Sequence, residues 1–454
     1  SLYGYPRQTT PNIARWAQRA AIYHNHWAAG HYTYPSTASL LSGALPWSHK
    51  GYWPGPEMFI PRFETDNLFT LFDTHFLSAY SNNSLAESVI LRMGAATLDL
   101  FPPREHLALQ QPNFWDPLFK RDRDIYDVSW SRGMDLGEEG FANSLFAARL
   151  LEIAQNRMQR RYRDDFPRGL PVMVGSYNFL LEDSIDWIAS QVEAQPKPFL
   201  SYFHLLPPHE PYTTRADYVD IFKDDGYQPV YKPTHPLADH ERSQADELAL
   251  RRSFDEYLAF VDAEFDRLMN TLEQSGQLDN TLVILTSDHG EMFERGIYFH
   301  MVPSFHKPLI HIPLLIFAPG QTERIDIHDL TSTVDLLPTL MHLTGKPVPD
   351  WMEGQLLPPF NSAPDPERIV FSADLRHNPK DGPITNGTGM LRYKEWKLTH
   401  IFGSEAKYEP LSGELYEFYH LTEDPEEFTN LHGQIPALEN DLIAVLADKI
   451  RQAE

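Results

Sequence analysis

Not one of the 454 residues is a cysteine, which excludes disulfides, thiolate-bound zinc, iron–sulfur clusters and a cysteine nucleophile. The compartment stays open on that evidence, because exported and cytosolic proteins alike can lack cysteine. Positive charge is scarce as well: 38 Lys and Arg stand against 63 Asp and Glu, for a formal net charge of −25. A general nucleic-acid binder needs clustered cations to meet phosphates, so that class is excluded. An anionic substrate would need a local positive site, most simply a metal ion. No apolar run approaches the roughly 20 residues of a membrane helix, and no signal peptide is visible. The chain opens on Ser-Leu-Tyr-Gly-Tyr without a methionine, which leaves room for an upstream segment removed or unseen; localisation stays open, with a periplasmic or extracellular protein the expectation.

What is present is enough apolar material for a large core: 42% of the residues are hydrophobic and 13% aromatic, sufficient for one large domain and a smaller one. Apolar spacing over 11–29 predicts a helix, with Thr10 as cap and Pro11 in the first turn. Between Ser253 and Gln274, Phe254, Leu258, Val261, Phe265, Leu268 and Leu272 recur at steps of three and four, an amphipathic helix. Nearly all-apolar strands are predicted at 281–287, 313–317 and 199–206. This alternation predicts an α/β protein with a doubly wound, mainly parallel central sheet covered on both faces. Residues 103–175, rich in Arg and Asp with Trp115, Trp130, Arg121 and Arg123 among them, are expected to form a helical insertion of solvated surface. Residues 361–382, rich in Pro, Asn and Asp, are expected to be a linker. Strands near 390–392, 396–401 and 415–418 and a helix from about Pro436 then make a small C-terminal α+β subdomain. The division is 1–360 and 361–454.

Four stretches can carry chemistry. In TLVILTSDHGE (281–291), a buried strand delivers Asp288 and His289 to its carboxyl end, where open α/β sheets place their sites. Adjacent oxygen and nitrogen ligands suit Zn²⁺ or Mn²⁺, although Asp288 could equally cap the turn. In FHLLPPHEPY (203–212), three prolines stiffen the backbone that presents His209, which suits a general acid or an oxyanion contact; a ring packed on Tyr212 is the plainer alternative. In 299–320, His300, His306, Lys307 and His311 cluster before a strand. Lys307 could meet an anion as a point charge, while most of these histidines read as structural or solvated. Finally, HYTYPSTASLLSG (31–43) offers Thr33, Ser36, Thr37, Ser39 and Ser42. A dication can activate such a hydroxyl at neutral pH, but local chemistry does not choose among the five, and each could be a turn or cap residue.

Order and spacing say more than any one stretch. YGYPRQTTPNIARWA, TYPSTASLLSG, FHLLPPHEPY, DNTLVILTSDHGE, HIPLLIFAPG, STVDLLPTLMHLTG and GELYEFYHLTEDPEEFTNL follow one another in a series that resembles the sulfatase family of the alkaline phosphatase superfamily over about 1–100 and 195–435. The resemblance implies that family's α/β fold, with the site along the carboxyl edge of the central strands. The family loop usually reads C/S-x-P-S-R before A-S-L-L-T-G, and its first position becomes the formylglycine nucleophile. Aligning Pro35-Ser36 and Ala38–Gly43 puts Thr33 there. Threonine cannot become formylglycine, yet it is the ordinary nucleophile of related phosphodiesterases and phospho-group transferases.

The sequence departs from the family elsewhere. Thr37 stands where sulfatases carry an arginine, and Ser81-Asn82-Asn83 where a Gly-Lys-Trp-His-like motif is usual, leaving Asn82 as the candidate substrate contact. The acidic metal ligands that normally end the first strand have no counterpart in this sequence. The resemblance then implies one divalent cation (Mn²⁺, Zn²⁺ or Ca²⁺) on Asp288, His289 and Thr33. Thr33 would attack a small anionic ester, Lys307 would stabilise charge, and His209 or His300 would protonate the leaving group. The lost arginine and lysine favour phosphate or phosphonate esters over sulfate. Sulfate-ester hydrolysis, phospho-group transfer and a non-catalytic binding relative are the alternatives.

Overall fold

The computed structural model describes residues 2–54, 59–109, 157–173, 177–238, 242–302, 304–360, 365–403 and 414–452. Pro11 starts a helix as predicted, but it ends at Trp16, and Ala21–Tyr23 forms a strand. The predicted 11–29 helix is therefore corrected. Ala21, Ile22 and Tyr23 are all buried, and a residue run that is apolar on both faces suits a central strand.

That strand lies in a sheet ordered Ile325–Ile327, Ala21–Tyr23, Leu314–Phe317, Val283–Thr286. The first pairing is parallel and the other two are antiparallel, so this α/β sheet is mixed. Its faces are covered as period-two alternation requires. Ile22, Leu315 and Phe317 pack with Phe265 and Met269 of the long Gln244–Gln274 helix. Tyr23, Leu314 and Ile316 pack with Leu336 and Leu357 on the other face. The long helix begins before the predicted Ser253, where the Ser243 hydroxyl accepts from Asp246 N–H at 3.2 Å as its cap. A further parallel pair, Phe76–Ser81 with Phe199–His204, sets Ser81 opposite His204.

The C-terminal part is an antiparallel sheet in the order Ile369–Asp374, Gly387–Tyr393, Trp396–Phe402, Leu415–His420. The Pro436–Gln452 helix sets Leu442, Leu446 and Ile450 against Leu391, Leu398 and Phe418. The Ile369–Asp374 strand falls inside the stretch assigned to a linker; its Val370 and Phe371 are buried, and this apolar run outweighs the surrounding polar composition. Trp115, Trp130, Arg121 and Arg123 lie outside the described residues, as does most of the predicted 103–175 insertion. Among the described residues, no helix is long and apolar enough to cross a membrane.

Candidate active site

The Val283–Thr286 strand ends in Ser287-Asp288-His289-Gly290, and glycine is required at the last position. A Cβ there would sit 2.0 Å from the Pro308 carbonyl oxygen, and Gly290 N–H donates to Leu309 O at 2.8 Å. This close approach fixes the backbone that aims the two preceding side chains. His289 Nδ1 donates to Gly290 O at 2.8 Å. A carbonyl only accepts, so the neutral ring keeps its proton on Nδ1 and turns the Nε2 lone pair outward. That Nε2 lies 3.3 Å from Thr33 Oγ1 and 3.5 Å from Asp288 Oδ2.

Thr33 is the first residue of the Thr33–Ser42 helix, which follows extended Tyr32 and ends on left-handed Gly43. Thr33 thus stands at the positive end of the helix dipole, a favourable place for developing negative charge. The parallel register that pairs Ser81 with His204 brings two further ends to the same edge. Asn83 Nδ2 donates to Thr33 Oγ1 at 3.4 Å, while its Oδ1 caps the Ser84–Gly94 helix. Asn82 Oδ1 accepts from Leu206 N–H at 2.6 Å, and its Nδ2 is buried without a partner. His204 Nε2 lies 3.7 Å from Asp288 Oδ2, and Tyr202 OH holds its other nitrogen at 3.0 Å.

A second layer of histidines backs this one. His300 packs on His289 with ring centroids 4.5 Å apart and on His209 at 4.8 Å. His300 Nδ1 donates to Glu291 Oε1 at 2.9 Å, and Glu291 Oε2 accepts from Tyr212 OH at 3.0 Å. His209 Nδ1 donates to Glu210 O at 2.9 Å. The structure thus brings Thr33, Asp288, His289, His300 and His209 into one cluster, with Asn82 at its edge. Lys307 is engaged elsewhere: its Nζ donates to Pro425 O at 3.1 Å and its N–H to Glu427 at 2.9 Å.

Burial governs the charge states. It pushes His300 down to about 3 and lowers His289 and His204, so these rings are neutral near pH 7. Burial also pushes Asp288 upward, but its interactions with the adjacent His289 and His204 rings and the His289 N–H outweigh it and hold the carboxyl below its ordinary value. Among the described residues no hydrogen-bond donor meets the buried Asp288 Oδ2. A charged carboxylate oxygen without a donor, beside a neutral imidazole lone pair and a hydroxyl, fits a divalent cation with mixed oxygen and nitrogen ligands.

Among the described residues, one group of three has ligand atoms all within 4.8 Å of one another: His235, His306 and Glu417. It belongs to the junction with the C-terminal sheet. There His235 Nδ1 accepts from Leu237 N–H at 3.1 Å, and Nε2 faces Glu417 Oε1 at 2.8 Å. That ring therefore holds its proton on Nε2 and acts as a donor to Glu417, which is the wrong tautomer for a ligand at that nitrogen.

Sequence reasoning missed His204, Asn83 and Glu291, and also His31, Asp374 and Arg376, which stand beside the cluster. His204 and Asn83 lie in stretches singled out above, and strand register would have been needed to pair them. Arg376, far along the chain, gave no signal.

An α/β scaffold with a hydroxyl, a carboxylate and neutral imidazoles at strand and helix ends defines the class of metal-assisted ester hydrolases. The family model described as Sulfatase matches residues 1–346, and that described as N-sulphoglucosamine sulphohydrolase, C-terminal, matches residues 298–454. The chain belongs to the sulfatase family, ester hydrolases of the alkaline phosphatase superfamily. It is 24% identical over 448 residues to a choline-sulfatase of Rhizobium meliloti (strain 1021), covering 93% of this chain and 77% of the relative. It is 24% identical over 473 residues to the multifunctional alkaline phosphatase superfamily protein PehA of Trinickia caryophylli, covering 94% and 86%. The crystal structure of the phosphonate monoester hydrolase of Agrobacterium radiobacter shares the fold, with a TM-score of 0.69 at 18% identity over 100% of this chain and 93% of that one.

Proposed function

We propose that this protein hydrolyses phosphonate or phosphate esters through Thr33 as nucleophile. The carrying observation is the setting of Thr33 Oγ1: at a helix N-terminus, 3.3 Å from His289 Nε2 and 3.4 Å from Asn83 Nδ2. A threonine lacks the second proton on its oxygen-bearing carbon that oxidation to an aldehyde requires, so the sulfatase route through formylglycine is closed. Direct attack remains, and it leaves a phosphothreonine that water can cleave. Asp288 and His289 would hold a dication together with Thr33. Such an ion supplies positive charge to the substrate oxygens and lowers the pKa of the threonine hydroxyl.

The protein's own groups do the rest. Thr33 Oγ1, its hydroxyl proton already released to solvent, attacks phosphorus as the oxyanion, the ester P–O bond breaks, and the His209 imidazolium gives its Nε2 proton to the leaving oxygen. Water then attacks the phosphothreonine, His209 takes one of its protons to restore the imidazolium, and Thr33 leaves as the oxyanion that began the cycle. Glu291 and Tyr212 hold His300 as the packing partner that sets the plane of His209. Lys307, with its ammonium on Pro425, takes no part in this scheme. The names choline-sulfatase and phosphonate monoester hydrolase both accord with small anionic ester substrates, and a sulfate ester is the second reading.

The test is turnover of an aryl phosphonate monoester, an aryl phosphodiester, an aryl phosphate and an aryl sulfate by the Mn²⁺- or Zn²⁺-loaded protein, with mass spectrometry of quenched enzyme. The phospho-substrates should turn over best, +80 Da or its phosphonate equivalent should map to Thr33, and Thr33→Ala should lose about 10³-fold or more. Preferred sulfate cleavage, or an active Thr33→Ala, would overturn the reading.

A further inference from the structure

We propose that His31 is a substrate-contacting residue, whose Nδ1–H donates to a non-bridging oxygen of the anionic centre held beside Thr33, and that Arg376 and Asp374 position it. The inference rests on the reading of Thr33 above and adds a contact from outside the catalytic motifs. His31 lies two residues before Thr33 and is fully buried. Its ring is held edge-on between Tyr32, at 5.3 Å between centroids, and Phe305, at 5.0 Å. His289 and His300 enter the electrostatics of this ring, so they belong to its wider surroundings.

The tautomer follows from the partner. Arg376 Nη2 lies 3.3 Å from His31 Nε2, and a guanidinium has donors only. Nε2 is therefore the acceptor, and the proton of the neutral ring sits on Nδ1. Asp374 fixes the arginine in turn: Nη2 donates to Oδ2 at 2.7 Å, and Nε lies 3.1 Å from both carboxylate oxygens. The guanidinium also rests over the Tyr32 ring at 4.6 Å. This carboxylate, guanidinium and imidazole form a chain that ends at the Thr33 loop.

The end of the chain is unfilled. Among the described residues His31 Nδ1 is buried without a hydrogen-bond partner, and a structural histidine so tightly braced on one nitrogen would be expected to use the other. Asn82 Nδ2, next to the asparagine that touches Thr33, is a second buried donor without a partner. Two N–H donors, one in the nucleophile's own loop and one next to the asparagine that touches Thr33, match the oxygens of a bound anion, which accept and do not donate. Asp374 and Arg376 come from the end of a C-terminal strand, so anion recognition draws on both parts of the chain.

The experiment measures binding of inorganic phosphate by calorimetry, and kcat and KM for an aryl phosphonate monoester, in Mn²⁺-loaded protein of verified metal content. His31→Phe keeps the ring and removes the donor; His31→Asn restores an N–H near the Nδ1 position; Arg376→Met frees the tautomer without touching His31. His31→Phe should weaken phosphate about 10-fold or more and lower kcat/KM at least as much, with metal content unchanged. His31→Asn should recover most of the loss, and Arg376→Met should fall between. Wild-type phosphate affinity and KM in His31→Phe, or no recovery in His31→Asn, would overturn the proposal. Should His31→Phe fail to fold, wild-type phosphate affinity and kcat/KM in Arg376→Met would do so. Thr33→Ala separates the two readings: an active Thr33→Ala removes the nucleophile, whereas an inactive one that still binds phosphate leaves His31 to be judged by its own variants.

Discussion

Asp288 carries a negative charge on a mostly covered side chain, and its Oδ2 is buried with no donor among the described residues. An unpaired buried carboxylate is costly unless a cation joins it. Asp288→Asn should therefore fold at least as well as the parent in the absence of metal. It should bind Mn²⁺ or Zn²⁺ about 100-fold more weakly, read by calorimetry. A metal affinity equal to the parent's would remove Asp288 from the ligand set. This part of the site was legible, because Asp-His-Gly at the end of an all-apolar strand is a local pattern. Thr33 was legible only through the order of motifs, since five hydroxyls share its loop. His204, Asn83, His31 and Arg376 owe their positions to contacts between segments far apart in the chain, which no window of sequence contains.

At the level of elements, the misreadings have physical causes. Residues 11–29 carry helical apolar spacing, but Ala21–Tyr23 is buried on both faces, and a short apolar run fits a core strand as well as a helix turn. The 361–382 stretch has a linker's composition around three consecutive apolar residues, Ile369-Val370-Phe371, that pair with Tyr393, Arg392 and Leu391. The strand-to-loop turn at Gly290 yields a sharper expectation. A methyl group there meets backbone rather than a mobile side chain, so Gly290→Ala must displace either the Lys307–Ile310 helix or the Asp288-His289 turn. It should cost about 2–4 kcal/mol in denaturant unfolding and weaken metal binding alongside. Unchanged stability with unchanged metal affinity would show that the turn relaxes freely.

For the molecule as a whole, the joint between its two parts is a buried charge pair. Lys397, on the C-terminal sheet, donates to Phe305 O at 2.7 Å and pairs with Glu427, which also accepts from Lys307 N–H. Lys397→Met leaves Glu427 buried and uncompensated, and should destabilise by about 3–5 kcal/mol in urea or guanidinium unfolding. Replacing both partners by apolar residues should cost much less. A single-variant loss below about 1 kcal/mol would contradict a desolvated pair.

Acid should act on the whole fold too. Burial pushes His26 and His49 down to about 3 and His311 to about 4. The unfolded chain protonates these rings near pH 6.5, whereas the folded one resists. Their contribution is complete above about pH 6.5 and is lost as pH falls toward 4 to 3. The melting temperature should fall steadily from pH 7 to pH 4.5, and a flat profile over that interval would refute the assignment.

The nucleophile loop is seated from behind by a strand that comes some 340 residues later: Ala373 N–H donates to Ala29 O at 2.9 Å, and the Ser372 hydroxyl to Ala28 O. On the ribosome, the segment that will carry the reaction leaves the tunnel some 340 residues ahead of the strand that seats it, and waits unseated over that interval. A chain released before the last antiparallel sheet is made would thus have neither the backing for its Thr33 loop nor Arg376, and incomplete products would be born without hydrolytic competence.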